Sequence, residues 1–430
     1  MNPIKDIKKL IKEGHNLFIT GGGGVGKSYI LDKISKEFPI VKTSTTGVSA
    51  LHIKGQTIHS WASVGYCNEP AMKYIHKIYK NKKKLKIIQS AEILAIDEIS
   101  MLGSNAFTVI EEVLRQVRGI NKPFGGLQII LIGDFFQLPP VNENETFCFA
   151  TEVWNKLNLK TVILKKVYRQ QEKALIDTLN NIRQGSITNE QMSLLANRQC
   201  TNDDVDKEAI RIYSTRRESS IYNAYCYNQL DGEEQTYLSL DAVLTKINGR
   251  TEYQNVLSVE LSDMMKIIYS SFSENCMFEP TVSLKPNARV MLLANLDFDL
   301  GLVNGSCGYV RALSHRAVEV EFDNGVTWTV KYQKTAMIKD EEEIITRHQI
   351  PLKLAYSSTI HKVQGMSFDK VFIDLGSVFT SGQTYVGLSR VKSLDGLFIN
   401  NFQPNKVIAD PLVVSFYNYL ESRPDTVIFN

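Results

Sequence analysis

Residues 17–28 run Leu-Phe-Ile-Thr-Gly-Gly-Gly-Gly-Val-Gly-Lys-Ser. An apolar strand comes first, then a glycine turn, and the pattern Gly-x-x-x-x-Gly-Lys-Ser spans Gly21 to Ser28. A helical stretch, Tyr29 to Phe38, follows. This order constrains the fold, because a phosphate-cradling loop works only where a strand turns into a helix. Glycines let successive backbone N–H groups curl around phosphate oxygens. The new helix points its positive end at the same anion. Gly21, Gly24, Gly26 and Tyr29 are therefore candidate nucleotide contacts. Lys27 is placed to reach the β- and γ-phosphates of ATP, and the Ser28 hydroxyl to hold Mg²⁺. A glycine-rich surface turn is the alternative, and it explains neither flank.

At 430 residues the chain is too long for one ordinary core, and two to four domains are expected. A hydrophobic content of 43% with 22% charged residues describes a globular protein. The net charge is only +3, so a nucleic-acid surface would have to be local. The six cysteines have no metal-ligand spacing and no Cys-x-x-Cys, which suits thiols in a reducing compartment. The start, Met-Asn-Pro-Ile-Lys-Asp, lacks a signal-peptide apolar region, and no run approaches the ~18 apolar residues of a membrane span. The expectation is an intracellular protein with no membrane partner, cytoplasmic in a bacterium or virus-infected cell, with nucleus and organelle left open.

Short apolar runs at Leu17–Ile19, Ile40–Thr43, Ile93–Ile96, Gln128–Ile132 and Thr161–Leu164 alternate with helical patterns. Such alternation argues α/β, a parallel sheet with helices on both faces. Phe107, Ile110, Leu114 and Val117 recur at helical spacing within 102–118. Between 60 and 91 the pattern breaks into aromatics and lysines (Lys80, Lys82, Lys83, Lys84, Lys86), as in a small inserted subdomain. A second α/β pattern starts near Arg211 and resumes at Val371 and Leu397. Between its halves, short strands and Asn-Gly turns suggest a small barrel. The acidic run Asp340–Glu343 reads as a solvated loop.

Ile93-Leu-Ala-Ile-Asp-Glu places Asp97 and Glu98 at the end of an apolar strand. Asp97 there would hold Mg²⁺ beside the phosphate loop, and Glu98 would polarise the attacking water. Leu131-Ile-Gly-Asp-Phe-Phe-Gln puts Gln137 at the carboxyl edge of the sheet, suited to sensing the γ-phosphate. Its alternative is a proline-terminated loop. Arg169 and Arg390 are candidate arginine fingers, one from each α/β half, although either residue alone would ordinarily be surface.

Together the motifs resemble the petite-integration-frequency (Pif-one type) DNA helicases of the 5′-to-3′ branch of superfamily one. The resemblance runs through nearly the whole chain. It is carried by the phosphate loop, Thr43-Ser-Thr-Thr-Gly-Val-Ser-Ala, Thr57-Ile-His-Ser, Asp97-Glu-Ile-Ser-Met-Leu, Gly133-Asp-Phe-Phe-Gln-Leu-Pro-Pro, Tyr168-Arg-Gln, Thr359-Ile-His-Lys-Val-Gln-Gly and Tyr385-Val-Gly-Leu-Ser-Arg. The stretch Leu102 to Gly126, closed by Pro-Phe-Gly-Gly, looks like the family's signature and separates it from RecD-type and Dda-type relatives.

The resemblance implies two RecA-like P-loop domains, a small inserted subdomain in the first and a Src-homology-like barrel inserted in the second. The expected division is 1–59 with 92–186 for the first domain, and 60–91 for the wedge-type insertion. Residues 187–231 with 351–430 would form the second domain, and 232–350 its insertion, with the barrel at about 286–350. It also implies ATP-driven unwinding of single-strand-tailed or forked DNA by a monomer, in replication, recombination, repair or telomere maintenance. G-quadruplexes and RNA–DNA hybrids stay open as substrates, as does a RecD/Dda-type translocase with weak unwinding. The strand grip would come from Ser44, Thr46, Gly47 and His59 in one half and from Thr359, His361 and Lys362 in the other. Read without the family, such Ser and Thr clusters are commonly helix caps. Trp61 and Tyr66 would either line the strand path or form the insertion's own core.

Departures from the pattern are the absence of any glutamine before Gly21, and Val25, Val363, Ser367 and Gly387 at positions usually held by other residues.

Overall fold

The computed structural model describes residues 3–65, 67–140, 145–201, 204–205, 209–247, 250–297, 299–339 and 342–430. It divides into two compact units, 1–219 with 358–430, and 220–357. Among the described residues no helix is long and apolar enough to cross a membrane.

The first unit contains two sheets. The larger is built from β1 (Leu17–Gly21), β2 (Ile40–Ser44), β3 (Gln56–Thr57), β4 (Ile93–Asp97), β5 (Gln128–Gly133) and β6 (Lys160–Leu164), joined by a C-terminal strand, Val427–Phe429. The order is C-terminal strand, β6, β1, β5, β4, β2, β3, and every pairing is parallel. β1 and β4 are buried at every residue, as strands covered on both faces must be. Leu17 and Ile19 face one core with Ile7, Ile11, Leu31 and Ile34 from the helices Pro3–Lys12 and Lys27–Ile34. Phe18, between them, faces the opposite core with Phe107, Ile110, Leu114 and Val117 from the helix Ser104–Arg118.

Residues 60–91 add to this second core rather than forming their own. Trp61 is 1% exposed and packs in one cluster with Ile75, Ile78, Phe107 and Phe124. Trp61 is therefore core, not strand path; Tyr66 lies outside the described residues. Arg118 locks the arrangement, donating to Gly125 O at 2.7 Å, Ile88 O at 2.7 Å and Ala91 O at 2.8 Å. The Pro-Phe-Gly-Gly turn is shaped by this packing. A Cβ on Gly125, at φ 62°, would lie 2.7 Å from Leu114 O.

The smaller sheet sets β7 (Ile210–Tyr213) parallel to Val371–Asp374, which is parallel to Leu397–Asn400, with Ser357–Thr359 on the outer side of β7. The helices Lys173–Arg183 and Gln383–Leu388 share its core. Gly387 belongs there because a Cβ would meet Ile373 Cδ1 at 2.0 Å.

One expectation fails at the C-terminus. Residues 411–429 are expected with the second sheet, but the helix Pro411–Ser422 packs Tyr417 and Leu420 into the first sheet's core, and Val427–Phe429 pairs with β6. An apolar helix and strand carry no mark of which parallel sheet they will join.

The second unit holds a five-stranded antiparallel sheet, in the order Thr327–Lys331, Ala317–Phe322, Cys307–Ser314, Arg289–Leu292, Leu352–Leu354. Its core is Val290, Val310, Val318, Val320, Phe322 and Val330. Residues 333–349, expected within the barrel span, instead form a hairpin whose second strand pairs with Leu240–Ile247. Glu342 and Glu343 open that second strand, so half of the acidic run is strand rather than loop; Asp340 and Glu341 lie outside the described residues. A two-residue alternation suits either sheet, so pattern alone could not place the hairpin.

Candidate active site

β1 delivers the chain into the glycine loop at the carboxyl edge of the first sheet, and the helix Lys27–Ile34 leaves it. Gly24 has φ 80°, and a Cβ there would lie 2.5 Å from Arg169 Cβ, so only glycine fits. Gly21 and Gly26 also have positive φ, Gly26 as the left-handed cap of the helix. The first intrahelical bond is from Ile30 N–H to Gly26 O, at 3.0 Å. The N–H groups of Lys27, Ser28 and Tyr29 thus have no intrahelical acceptor and point toward the loop. Lys27 Nζ donates to Gly21 O at 2.6 Å and Gly22 O at 2.9 Å. Burial lowers its pKa, opposed by the carboxylates of Asp134, Glu98 and Asp97. Ser28 is half-buried in the same first turn. The Tyr29 ring faces solvent, with Lys33 Nζ 5.1 Å from its centre, so its backbone is the part that serves the loop.

Asp97 ends β4 and accepts Glu98 N–H at 2.9 Å. Burial, then the neighbouring Glu98 carboxylate, pushes its pKa up to about 7. Such a carboxylate gains from a cation, as the proposed Mg²⁺ ligand would. Glu98 sits at φ 52°, a left-handed conformation costing a non-glycine residue about 1 kcal/mol or more. Its Oε2 accepts the Gln364 side-chain amide at 2.9 Å.

Asp134, at the end of β5, accepts two bonds from Arg183, at 2.9 and 2.7 Å. It also accepts Phe136 N–H at 3.2 Å and the Tyr417 hydroxyl at 3.3 Å. Tyr417 reaches Thr20, the residue before the loop, at 2.6 Å. Gln137 is buried and turned to this carboxylate, its Nε2 3.5 Å from Asp134 Oδ2.

Arg169 donates to Ser389 O at 2.9 Å, and Arg390 is held by Val386 O at 2.7 Å and Ser389 Oγ at 2.6 Å. Burial, then the adjacent Arg169 cation, pushes Arg390 down to about 9. Burial also lowers Arg169, and two buried cations side by side favour an anion between them. The place is marked by Gly23. A Cβ built there would lie 3.4 Å from Arg169 Nη1, 3.4 Å from Arg390 Nη2 and 3.4 Å from the Tyr385 hydroxyl. The glycine loop and two arginines therefore meet at one point, the carboxylates of the acidic strand end act on Lys27 of the same loop, and the donor set fits a magnesium nucleotide.

The expected strand-contact residues lie at the carboxyl edges of the two sheets. Ser44 is buried and donates to Asp97 O at 3.2 Å. Thr46 caps the helix Gly47–His52, accepting Ser49 N–H at 3.2 Å, and Gly47 is exposed. His59 is half-buried in the helix Ile58–Trp61, and burial lowers its pKa. Thr359 is buried, Lys362 exposed, and the His361 imidazole lies near parallel to the Phe379 ring, centroids 6.5 Å apart. Phe379, 66% exposed, carried no sequence signal beyond an aromatic in a loop. Asp134, Arg183, Gln364, Tyr385 and Tyr417 were likewise not singled out as site residues, because their partners are distant in sequence.

A PIF1-like helicase family model matches residues 4–193, and a DNA helicase Pif1 2B domain model matches 269–313. The chain is 31% identical over 504 aligned residues to the ATP-dependent DNA helicase RRM3 of Saccharomyces cerevisiae, with 97% of this chain and 67% of that protein covered. The chain belongs to the PIF1-like helicase family. It is 36% identical over 425 residues to the ATP-dependent DNA helicase PIF1 of Xenopus laevis, of which it spans 63%. Several curated PIF1 relatives are thus matched over a little under two-thirds of their length.

Among solved structures, the Pif1 helicase from Candida albicans superposes with a TM-score of 0.86 at 29% identity, covering 98% of this chain and 99% of that one. The Bacteroides Pif1 helicase in complex with ADP-AlF3 and ssDNA gives 0.79 at 27%, covering 99% and 98%. A structure described as DNA unwinding at forked dsDNA by two coordinating Pif1 helicases gives 0.78 at 27%, covering 99% and 98%. The matched segment of the PIF1-like family model includes the phosphate loop, Asp97, Glu98, Gln137 and Arg169.

Proposed function

We propose that this chain is an ATP-dependent DNA helicase that moves 5′ to 3′ along a single strand, hydrolysing ATP between the two sheets of its first unit. The observation that carries this reading is the convergence on Gly23 of Arg169, which follows the first sheet, and Arg390, which follows a helix of the second. Charge that develops on a transferring phosphoryl group is stabilised by such cations. Hydrolysis would then depend on the closeness of the two sheets, which is what couples a nucleotide cycle to movement.

In this reading Lys27 and the loop amides hold the phosphates, and Ser28 and Asp97 hold Mg²⁺. Bound there, Mg²⁺ would neutralise charge on the β- and γ-oxygens. Glu98 orients the water, and Arg169 and Arg390 hold the γ-phosphoryl oxygens. Gln137 acts with Asp134 beside them. Ser44, Thr46, Gly47 and His59 grip the strand from one side, and Thr359, His361 and Lys362 from the other. The Bacteroides relative bound to ADP-AlF3 and ssDNA supports both ligands, and the forked-DNA structure supports a duplex substrate. Single strands and tailed or forked duplexes are the substrates, and the chain acts as a monomer. Stacking resists separation by about 1.4 kcal/mol per base-pair step, so the fork opens in small increments.

The test is ATP-dependent unwinding of matched duplexes carrying a 5′ or a 3′ single-stranded tail, with Glu98→Gln as control. Unwinding of the 5′-tailed duplex alone, lost in the variant, is expected. Strand-stimulated hydrolysis without unwinding would replace the helicase by a translocase, and unwinding from the 3′ tail would overturn the polarity.

A further inference from the structure

We infer that the Tyr385 hydroxyl is a third γ-phosphoryl contact, donated from the second sheet's side beside Arg169 and Arg390. The inference rests on the nucleotide-site reading above. Tyr385 lies in the helix Gln383–Leu388, whose residues are all buried, so the ring has little freedom. Its oxygen accepts Gly23 N–H at 2.6 Å. Cβ atoms built on Gly22 and Gly23 would lie 3.0 and 3.4 Å from it. The phenol therefore stands against the outer rim of the phosphate loop, at the point where both guanidinium groups arrive.

A phenol both accepts and donates. Here its acceptor capacity is used by Gly23, while its own proton has no protein acceptor among the described residues. Burial, and then the Asp134 carboxylate, raises the Tyr385 pKa, so the proton stays on the oxygen at neutral pH. A transferring phosphoryl group spreads its charge over three equatorial oxygens. Two arginines and one phenol supply three separate donors at one place. ADP has no γ-phosphoryl group, so this contact discriminates between the two nucleotides.

The experiment uses the whole chain and Tyr385→Phe, which removes one oxygen and keeps the ring. Equilibrium titration with ADP and with a non-hydrolysable ATP analogue is compared with kcat at saturating single-stranded DNA. ADP affinity is expected to stay within about two-fold, analogue affinity to fall about ten-fold and kcat to fall about a hundred- to a thousand-fold, the scale for losing one donor to developing charge. Replacing Tyr385 by 3-fluorotyrosine keeps the hydroxyl and is expected to restore analogue binding. ADP and analogue affinities falling together would overturn the inference and leave Tyr385 as a support for the loop. Unchanged analogue affinity and kcat would overturn it outright. If the unaltered chain binds neither nucleotide, the nucleotide-site reading falls first and the inference with it.

Discussion

Gln364 donates its side-chain amide to Glu98 Oε2 at 2.9 Å, and both residues are buried. The bond joins the residue proposed to orient water to the segment that carries His361 and Lys362. In the proposed reading, one hydrogen bond therefore links the strand-contact segment to the residue that activates water. Hydrogen bonds to charged groups contribute about 1.5–3 kcal/mol, a factor of ten or more. Gln364→Met is expected to cut the stimulation of ATP turnover by single-stranded DNA about ten-fold, with the DNA-free rate little changed. Steady-state hydrolysis with and without an oligonucleotide reads this, and undiminished stimulation would refute the link.

Gly23→Ala separates catalysis from folding. Gly23 is not among the residues with positive φ, so alanine can take up its backbone conformation. The added methyl would stand 3.4 Å from both guanidinium groups and the phenol, filling the space proposed for the phosphoryl group. The variant is expected to melt like the parent and to bind ADP, with kcat about a hundred-fold lower. Calorimetry and turnover measured together decide it.

The Asp134–Arg183 pair makes a stability prediction. Burial alone would raise the Asp134 pKa, but Arg183 first, with Lys27 and the Phe136 N–H, offsets it and leaves it lowered. A carboxylate with a depressed folded pKa contributes stability above its unfolded value, near 4, and loses it as pH falls through the folded value. Asp134→Asn should therefore flatten the loss of stability below about pH 4. Arg183→Met leaves a buried charge unpaired and is expected to cost about 3–5 kcal/mol in urea unfolding at pH 7. A cost under 1 kcal/mol would mean that water reaches the pair.

His59 and His361 are both held below the usual histidine pKa by burial, His361 also by Arg216. Both are neutral at pH 7, so neither adds a cation to the proposed strand path. The dependence of strand affinity on salt counts ionic contacts. Its slope is expected to be the same at pH 7.0 and pH 8.5, measured by fluorescence anisotropy. A steeper slope at pH 7.0 would show that one of them is charged.

The local parts of this architecture were legible in the sequence. Strand, glycine turn and helix are contiguous at 17–34, and the stripe Phe107, Ile110, Leu114, Val117 repeats every three or four residues. What escaped is long-range. Arg183 is 49 residues from Asp134, Gln364 is 266 from Glu98, and Tyr385 is 362 from Gly23. No periodicity joins such partners, and each looks ordinary in its own neighbourhood. Trp61 stays between a core role and a strand-path role in the sequence for a related reason. An aromatic near a proposed strand path suggests stacking, while its burial depends on the helix Ser104–Arg118, which lies some forty residues on.

The edge of the larger sheet is finished by residues 427–429, and Tyr417 ties that closing segment to Thr20 and Asp134. On a ribosome, β6 would emerge long before its partner. More than two hundred and fifty intervening residues would have to be made while that flank of β6 stayed open. The sheet that carries the phosphate loop is thus closed on that flank only once residues 427–429 are made. Until then a nascent chain would expose a sticky strand edge, a hazard that favours early shielding by a chaperone.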